Sequence, residues 1–447
     1  MRVLIFHGYM LRGTGSNIYN ANLAPALARL GHDVHLLCQD REVELEGVQV
    51  HNPDIGGLLP VYVKDPYEGF EVKTFPELSE AELDRYIDAN VAAVREVAAA
   101  AGGIDLALAN HLVMGPAILA RARVAPFAAK IHGSALEYTV KPHPRFLPYA
   151  REGMEAANGV LIGSAHTAES LWEAFRDLPD LPEKTRLGPP GVDIAEFRPR
   201  GQRERLVAFV GKLIVSKGVD LLLCAWPLVR DAHPGARLEI AGFGAYEEGL
   251  RRLLAALDRG DLDDAREVAR LGWALEGGEE RPLPILSDFL ADPPPGYAEK
   301  ARAAAGSVEF VGRLEHDEVA SFLPRAEAMV MPSTFPEAFG MVAVEAAACG
   351  TLPVSAGHSG MLEVSRQLGS ALPEAVAELT SFPVERGAVE AIARRLNAWL
   401  DLPEAEREAA RETLVGTVAR LWSWEGVARG VLAAAAGELG DLPRPAS

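Results

Sequence analysis

The sequence predicts an α/β chain of two doubly wound domains, each built on a parallel sheet, facing one another across a central cleft. Three observations lead there. Short apolar runs alternate with amphipathic ones, the pattern of βαβ units. A Pro- and Gly-rich stretch, GPPGVDIAEFRPRG, interrupts that pattern near residue 190, after which it restarts. With 447 residues the chain exceeds one ordinary core, and two domains of roughly 200 residues are expected.

In chain order, RVLIF reads as a buried strand, GTGS as a turn, and IYNANLAPALARLG as a helix closed by Gly31. DVHLLCQ, IDLALAN, FAAKIHG and GVLIGS are further short strands, each broken by Gly or a polar residue. The second half opens with the strand RLVAFVG, the loop KLIVSKG and the helix VDLLLCAWPLVRDA. RLEIAG, VEFVG, AMVMPS and TLPVSA then follow as strands with helices between them. The expected domains are 1–195 and 200–419, with a helix near 420–440 packing back on the first. Residues 258–305, acidic and carrying DPPPG, read as an inserted surface excursion.

Composition narrows the function. A formal charge of −19 argues against nucleic-acid binding, which needs a basic face. Cys38, Cys224 and Cys349 form no CxxC pair, which suits a reducing, cytoplasmic setting and argues against a structural zinc site. The opening MRVLIFHGYM lacks the apolar core of a signal peptide, and no run reaches the ~20 apolar residues that span a bilayer.

The chemistry concentrates in PSTFPEAFGMVAVEAAACG, Pro332 to Gly350, where Glu337 and Glu345 stand eight residues apart. AMVMPS reads as a strand and MVAVEAAAC as a helix, so TFPEAFG is a loop at the strand's carboxyl end. Ligands of doubly wound sheets bind at such ends. The free N–H groups opening a helix attract phosphate, and Gly340 lets a ligand come close to that backbone. A carboxylate accepts two hydrogen bonds from a vicinal diol. One long ligand, hydroxylated at each end with phosphate between, therefore explains both glutamates. Lys212 and Lys217 stand five apart after an apolar strand in a chain with 36 arginines and only eight lysines. Their ammonium groups suit the charge that builds on a departing diphosphate.

PSTFPEAFGMVAVEAAACGTLPV resembles the signature of the retaining glycosyltransferases of family 4, with its glutamate–seven–glutamate spacing. FVGKLIVSKGVDLLLCAW is similar to that family's phosphate-binding segment, RLGPPGVDIAEFRP to its interdomain run, and LWSWEGVARGVL to its terminal helix. The resemblance implies a GT-B fold, with an N-terminal acceptor domain and a C-terminal nucleotide-sugar domain. It implies that Glu337 contacts the donor sugar, that Glu345 holds the ribose, and that Lys212 and Lys217 clamp the diphosphate. Phe339, Gly340 and Met341, with Leu314, would complete the donor-binding set. The family more often has arginine at the position of Lys212. RGTGSNIY matches the family's Gly-Gly loop, with Thr14 in place of the first glycine and Gly15 expected near the donor phosphate.

His132, at the end of FAAKIHG, is placed by the resemblance near the reactive sugar carbon, where it would donate a hydrogen bond. His111 and His358 are weaker candidates, and SGMLE is close to the family's gG..E run with Ser359 replacing a glycine. Between Arg121 and Arg151, six basic residues (Arg121, Arg123, Lys130, Lys141, Arg145, Arg151) face one acid, Glu137. Lys141 and Arg145, with His111, are thus candidates for an anionic acceptor or an anionic membrane surface.

The predicted activity is transfer of a hexose from a nucleoside-diphosphate sugar, with no cofactor and no metal. DLDD, Asp261 to Asp264, reads as a helix N-cap rather than a metal site. A phosphorylase of the same fold is the near alternative. A dinucleotide-binding oxidoreductase, suggested by the GxG of EIAGFGAYEEG, is the distant one.

Overall fold

RVLIF forms the strand Arg2–Phe6 (β1), and its last four residues are buried. The computed structural model describes residues 1–11, 15–62, 69–337 and 339–445. The chain divides into two units, Met1–Gly191 with Trp422–Ser447, and Val192–Leu421.

In the first unit the strands after β1 are Asp33–Leu37 (β2), Val48–His51 (β3), Leu58–Val61 (β4), Glu71–Thr74 (β5), Leu106–Asn110 (β6), Phe127–Ile131 (β7), Gly159–Ile162 (β8) and Thr185–Leu187 (β9). A parallel sheet runs β3-β2-β1-β6-β7-β8-β9, while β4 and β5 pair separately. Val3 lies beside Val34 on one side and Leu106 on the other, so the order reverses at β1 and β6. The residues of β6 and β7 are buried throughout, as expected of strands covered on both faces.

The helix Trp424–Ala436 closes this unit. Ser423 caps it by accepting the Gly426 N–H, and Gly437 ends it at φ +82°. Trp424, Val427 and Val431 share one core with Val3, Ile5, Tyr19 and Leu23.

The second unit holds Leu206–Val210 (β10), Arg237–Ala241 (β11), Val308–Gly312 (β12), Ala328–Met331 (β13), Leu352–Ala356 (β14) and Ser381–Phe382 (β15). Its sheet runs β12-β11-β10-β13-β14-β15, all parallel. Here the order reverses between β10 and β13. The loops that leave those two strands therefore flank the position where doubly wound sheets bind ligands.

Residues 258–305 are not the surface excursion expected from composition. They finish the helix Glu247–Arg259 and then form the helices Leu262–Leu271, Pro284–Ala291 and Tyr297–Ala303. Val268, Leu286, Phe289 and Tyr297 are buried, and Tyr297 donates to the carbonyl of Cys224 at 2.7 Å. Burial of Phe289 alone is worth about 1.5–3 kcal/mol. The acids that suggested a solvated loop lie on outward faces, paired within a turn as Arg266–Asp263 and Arg270–Glu267. Asp261 accepts the Asp264 N–H at 3.1 Å, the N-cap read from DLDD.

No helix among the described residues is long and apolar enough to cross a membrane. The three cysteines are free and buried.

Candidate functional site

Two loops meet at the reversal point of the second sheet. After β10 the chain makes a 3-10 turn, Val215–Lys217, followed by Gly218 at φ +65°. A Cβ on Gly218 would lie 2.0 Å from the carbonyl oxygen of Pro332, so only glycine allows this turn to touch the loop after β13. The Thr334 N–H donates to the Ser216 carbonyl at 2.9 Å, locking the two loops together. From the other side Glu276 accepts the Val215 N–H at 2.7 Å.

That docking brings the Lys217 ammonium onto the Glu337 carboxylate as a half-buried ion pair. Ser333 Oγ donates to the same Oε1 at 2.8 Å. Lys212 stands exposed just after β10, and Leu314 is partly buried in the loop after β12.

Gly340, at φ +126°, ends the loop and caps the helix Met341–Ala348. Phe339 is buried just before it and Met341 is the first helical residue. Glu345 lies one turn in and is only 6% exposed. Its carboxylate has no hydrogen-bond or ion-pair partner among the described residues. Burial, reinforced by the charge of Glu196, pushes its pKa up to about 7. A buried carboxylate without partners is costly in isolation and suits a ligand that brings hydroxyl donors.

In the first unit, three histidines each follow a strand directly: His7 after β1, His111 after β6 and His132 after β7. Those strands are neighbours, so the rings line one carboxyl edge, His7 and His111 5.8 Å apart and His111 and His132 5.0 Å apart. Burial, with the mutual influence of the cluster, holds His111 and His132 well below the usual histidine range, and burial takes His7 to about 4. All three are neutral at pH 7.

His132 does not keep the donor role expected of it. Asn110 turns its amide NH2 to the Phe6 carbonyl (3.3 Å) and to Asn20 Oδ1 (2.9 Å). Its own Oδ1 therefore faces His132 Nε2 at 2.9 Å, and that nitrogen carries the proton. A neutral ring so held offers Nδ1 as an acceptor. His111, at φ +68° and 3% exposed, has both ring nitrogens without a partner among the described residues. Gly15 opens the helix Gly15–Arg29, exposed and with open space around it, while Thr14 lies outside the described residues.

Five of the six basic residues of the island are engaged by groups of this chain. Lys130 is buried within β7, donates to the Gly188 carbonyl at 2.6 Å, and has its pKa lowered by burial to about 7. Arg121 pairs with Glu152, Arg151 with Asp177, and Lys141 with Glu137 and Ser170. Arg145 ties down three carbonyls, those of Phe75, Pro76 and Leu78. The linear count missed this because Glu152 and Asp177 lie outside the window, Asp177 by 26 residues, and the carbonyls are distant in sequence.

Sequence reading also passed over His7, Asn110, Ser333 and Glu276. The first shares a visible signal with His132, a polar residue closing an apolar strand. The others are ordinary residues whose partners are known only once the loops fold.

Residues 298–413 match the family described as Glycosyl transferases group 1, and residues 13–196 match Glycosyltransferase Family 4. The chain is similar to glycogen synthase of Mycobacterium tuberculosis, 29% identical over 300 residues, covering 64% of this chain and 57% of that one. It spans about half the length of such curated relatives. It is also similar to the D-inositol 3-phosphate glycosyltransferase of Actinosynnema mirum, 26% identical over 446 residues, 94% of this chain and 91% of the other. Among solved structures, sucrose-phosphate synthase from Thermosynechococcus elongatus shares the fold, with a TM-score of 0.57 at 20% identity over 96% of each chain.

Proposed function

The chain belongs to the group 1, family 4 glycosyltransferases of GT-B fold, and from that premise we propose that it moves a hexose from a nucleoside-diphosphate sugar to an acceptor hydroxyl, with retention of anomeric configuration. One observation carries the reading. At the reversal point of the second sheet, the Lys217–Glu337 pair stands before a helix that holds the partnerless, buried Glu345.

Each group has a role suited to its surroundings. Glu345 accepts the ribose diol, which supplies the hydrogen bonds its carboxylate lacks. The N–H groups opening the helix Met341–Ala348 take phosphate oxygens. Lys217 and the exposed Lys212 neutralise the charge that collects on the diphosphate as the glycosidic bond breaks. Glu337 orients the sugar and supports positive charge at its reacting carbon. His132, neutral and protonated at Nε2, serves through Nδ1 as an acceptor for a hydroxyl proton. The lysines and helix N–H groups supply the positive charge that a metal ion would otherwise provide, so the reading needs no metal.

Thermal-shift titration with UDP-, GDP- and ADP-sugars tests it, since a ligand of the folded state stabilises in proportion to RT ln(1 + [L]/Kd). A matched donor raises Tm, Glu345→Ala loses that rise, and Glu337→Ala keeps it while losing turnover. The anomeric configuration of the product, read by NMR, tests retention. Absence of any shift or turnover with all three donor classes would overturn the proposal.

A further inference from the structure

We infer that Ser359 and His358 position Glu337, through a closed circuit of hydrogen bonds, for the transfer proposed above, on which this inference rests. The helix Ser359–Gly369 begins beside the Glu337 loop. His358 Nε2 lies 2.9 Å from the Ser333 carbonyl oxygen, which can only accept. Nε2 therefore carries the proton, and Nδ1 presents a lone pair to Ser359 Oγ at 3.1 Å. The Ser359 hydroxyl donates there, which frees its oxygen to accept the Glu337 N–H at 2.9 Å. Ser333 Oγ closes the circuit by donating to Glu337 Oε1 at 2.8 Å. Beside it, the Gly360 N–H donates to the Glu337 carbonyl at 2.9 Å. Glu337 is thus held at its N–H, its C=O and its carboxylate.

The backbone of Ser359 supports a purpose for the hydroxyl. Its φ of +51° lies in the left-handed region, which glycine occupies freely and serine does not. Backbone preference alone favours glycine here. What serine adds is the one group that connects His358 to the Glu337 N–H. Strain retained at a residue that clamps a catalytic loop is what positioning requires. Ser359 and His358 are positioning residues: they act through Glu337.

Ser359→Gly separates positioning from folding, because it relieves the backbone while removing the bond. Tm is expected to hold or rise, and Kd for the nucleoside diphosphate to stay within twofold. Donor turnover, kcat, is expected to fall roughly three- to tenfold, the factor for one lost net hydrogen bond. Amide hydrogen exchange over residues 333–341 is expected to speed up by a similar factor. Ser359→Ala is expected to lose the same kcat and some Tm as well. Unchanged exchange and unchanged kcat in Ser359→Gly would overturn the inference. So would a kcat loss that appears only in variants with lowered Tm. Exchange is measured without substrate, so it judges the clamp even if the wild-type protein turns over no nucleotide sugar, the result that would instead defeat the transferase reading.

Discussion

Lys217 Nζ meets Glu337 Oε1 although 120 residues of chain separate them. The contact exists because β10 and β13 are neighbours at the reversal of the second sheet and because Gly218 lets their loops touch. On the proposed reading, Lys217→Ala removes an ammonium that neutralises the leaving diphosphate. Loss of roughly 10²–10³ in kcat is expected, the size seen when one preorganised charge-stabilising group is removed. Glu337→Gln is expected to lower kcat similarly while keeping donor Kd within a few-fold. Steady-state kinetics with isothermal titration of the nucleoside diphosphate checks both.

Glu345 makes stability and binding pull in opposite directions. Its folded pKa, raised by burial to about 7, exceeds the ordinary carboxylate value of 4.5. The folded state therefore holds a proton that the unfolded state has released between those values, and stability falls as pH rises through this window. Asp220, raised by burial to about 7, adds to the same slope. Donor affinity should move the other way, rising from pH 6 to pH 8 as the carboxylate forms. Glu345→Gln is expected to raise Tm at pH 8 more than at pH 5, and to weaken donor binding at pH 8. Thermal melts and titrations at the two pH values read both effects.

Arg145 holds a turn together through Nη2. Arg145→Ala leaves the carbonyls of Phe75, Pro76 and Leu78 without their donor. A stability loss of roughly 1–3 kcal/mol is expected in urea denaturation. Lys141→Ala should cost at most about 1 kcal/mol, since its pair with Glu137 is half exposed. A rise in acceptor KM at unchanged stability would restore the anion-binding role.

Glu276 braces the lysine turn from the segment that composition marked as an excursion. Glu276→Ala frees the Val215 N–H and is expected to lower kcat with donor several-fold. Glu276→Gln, which keeps an acceptor, should recover most of it.

Chelation provides a separate check. If, as proposed, lysines and helix N–H groups carry the leaving-group charge, activity is expected to persist in excess EDTA. An activity lost with chelator and restored by a divalent cation would contradict that assignment of charge.

The pattern of elements was legible because strand and helix periodicities differ and are local. RVLIF, FAAKIHG and AMVMPS needed no partner to be recognised as buried strands. β9 and β15 were too short to signal themselves, β3 (VQVH) alternates apolar with polar residues and has no apolar run, and β4 and β5 form a pair outside the main sheet. Among site residues, Glu337, Glu345 and Lys217 stood out because composition and loop placement made them unusual. Ser333, Asn110 and Glu276 did not, since a hydrogen bond depends on distance and direction that sequence does not contain.

The order of residues by itself decided which apolar runs are strands, where the chain changes unit, and that Glu337 sits in a loop leading into the helix that carries Glu345. Local steric preference and apolar spacing suffice for that. Tertiary structure alone decided the states of the polar groups: Lys217 bound to Glu337, Glu345 pushed towards neutrality, His132 Nε2 spent on Asn110, Arg145 Nη2 donating to three carbonyls. The reason is that charge and proton placement depend on burial and on partners brought together through space, and both arise only when distant segments pack.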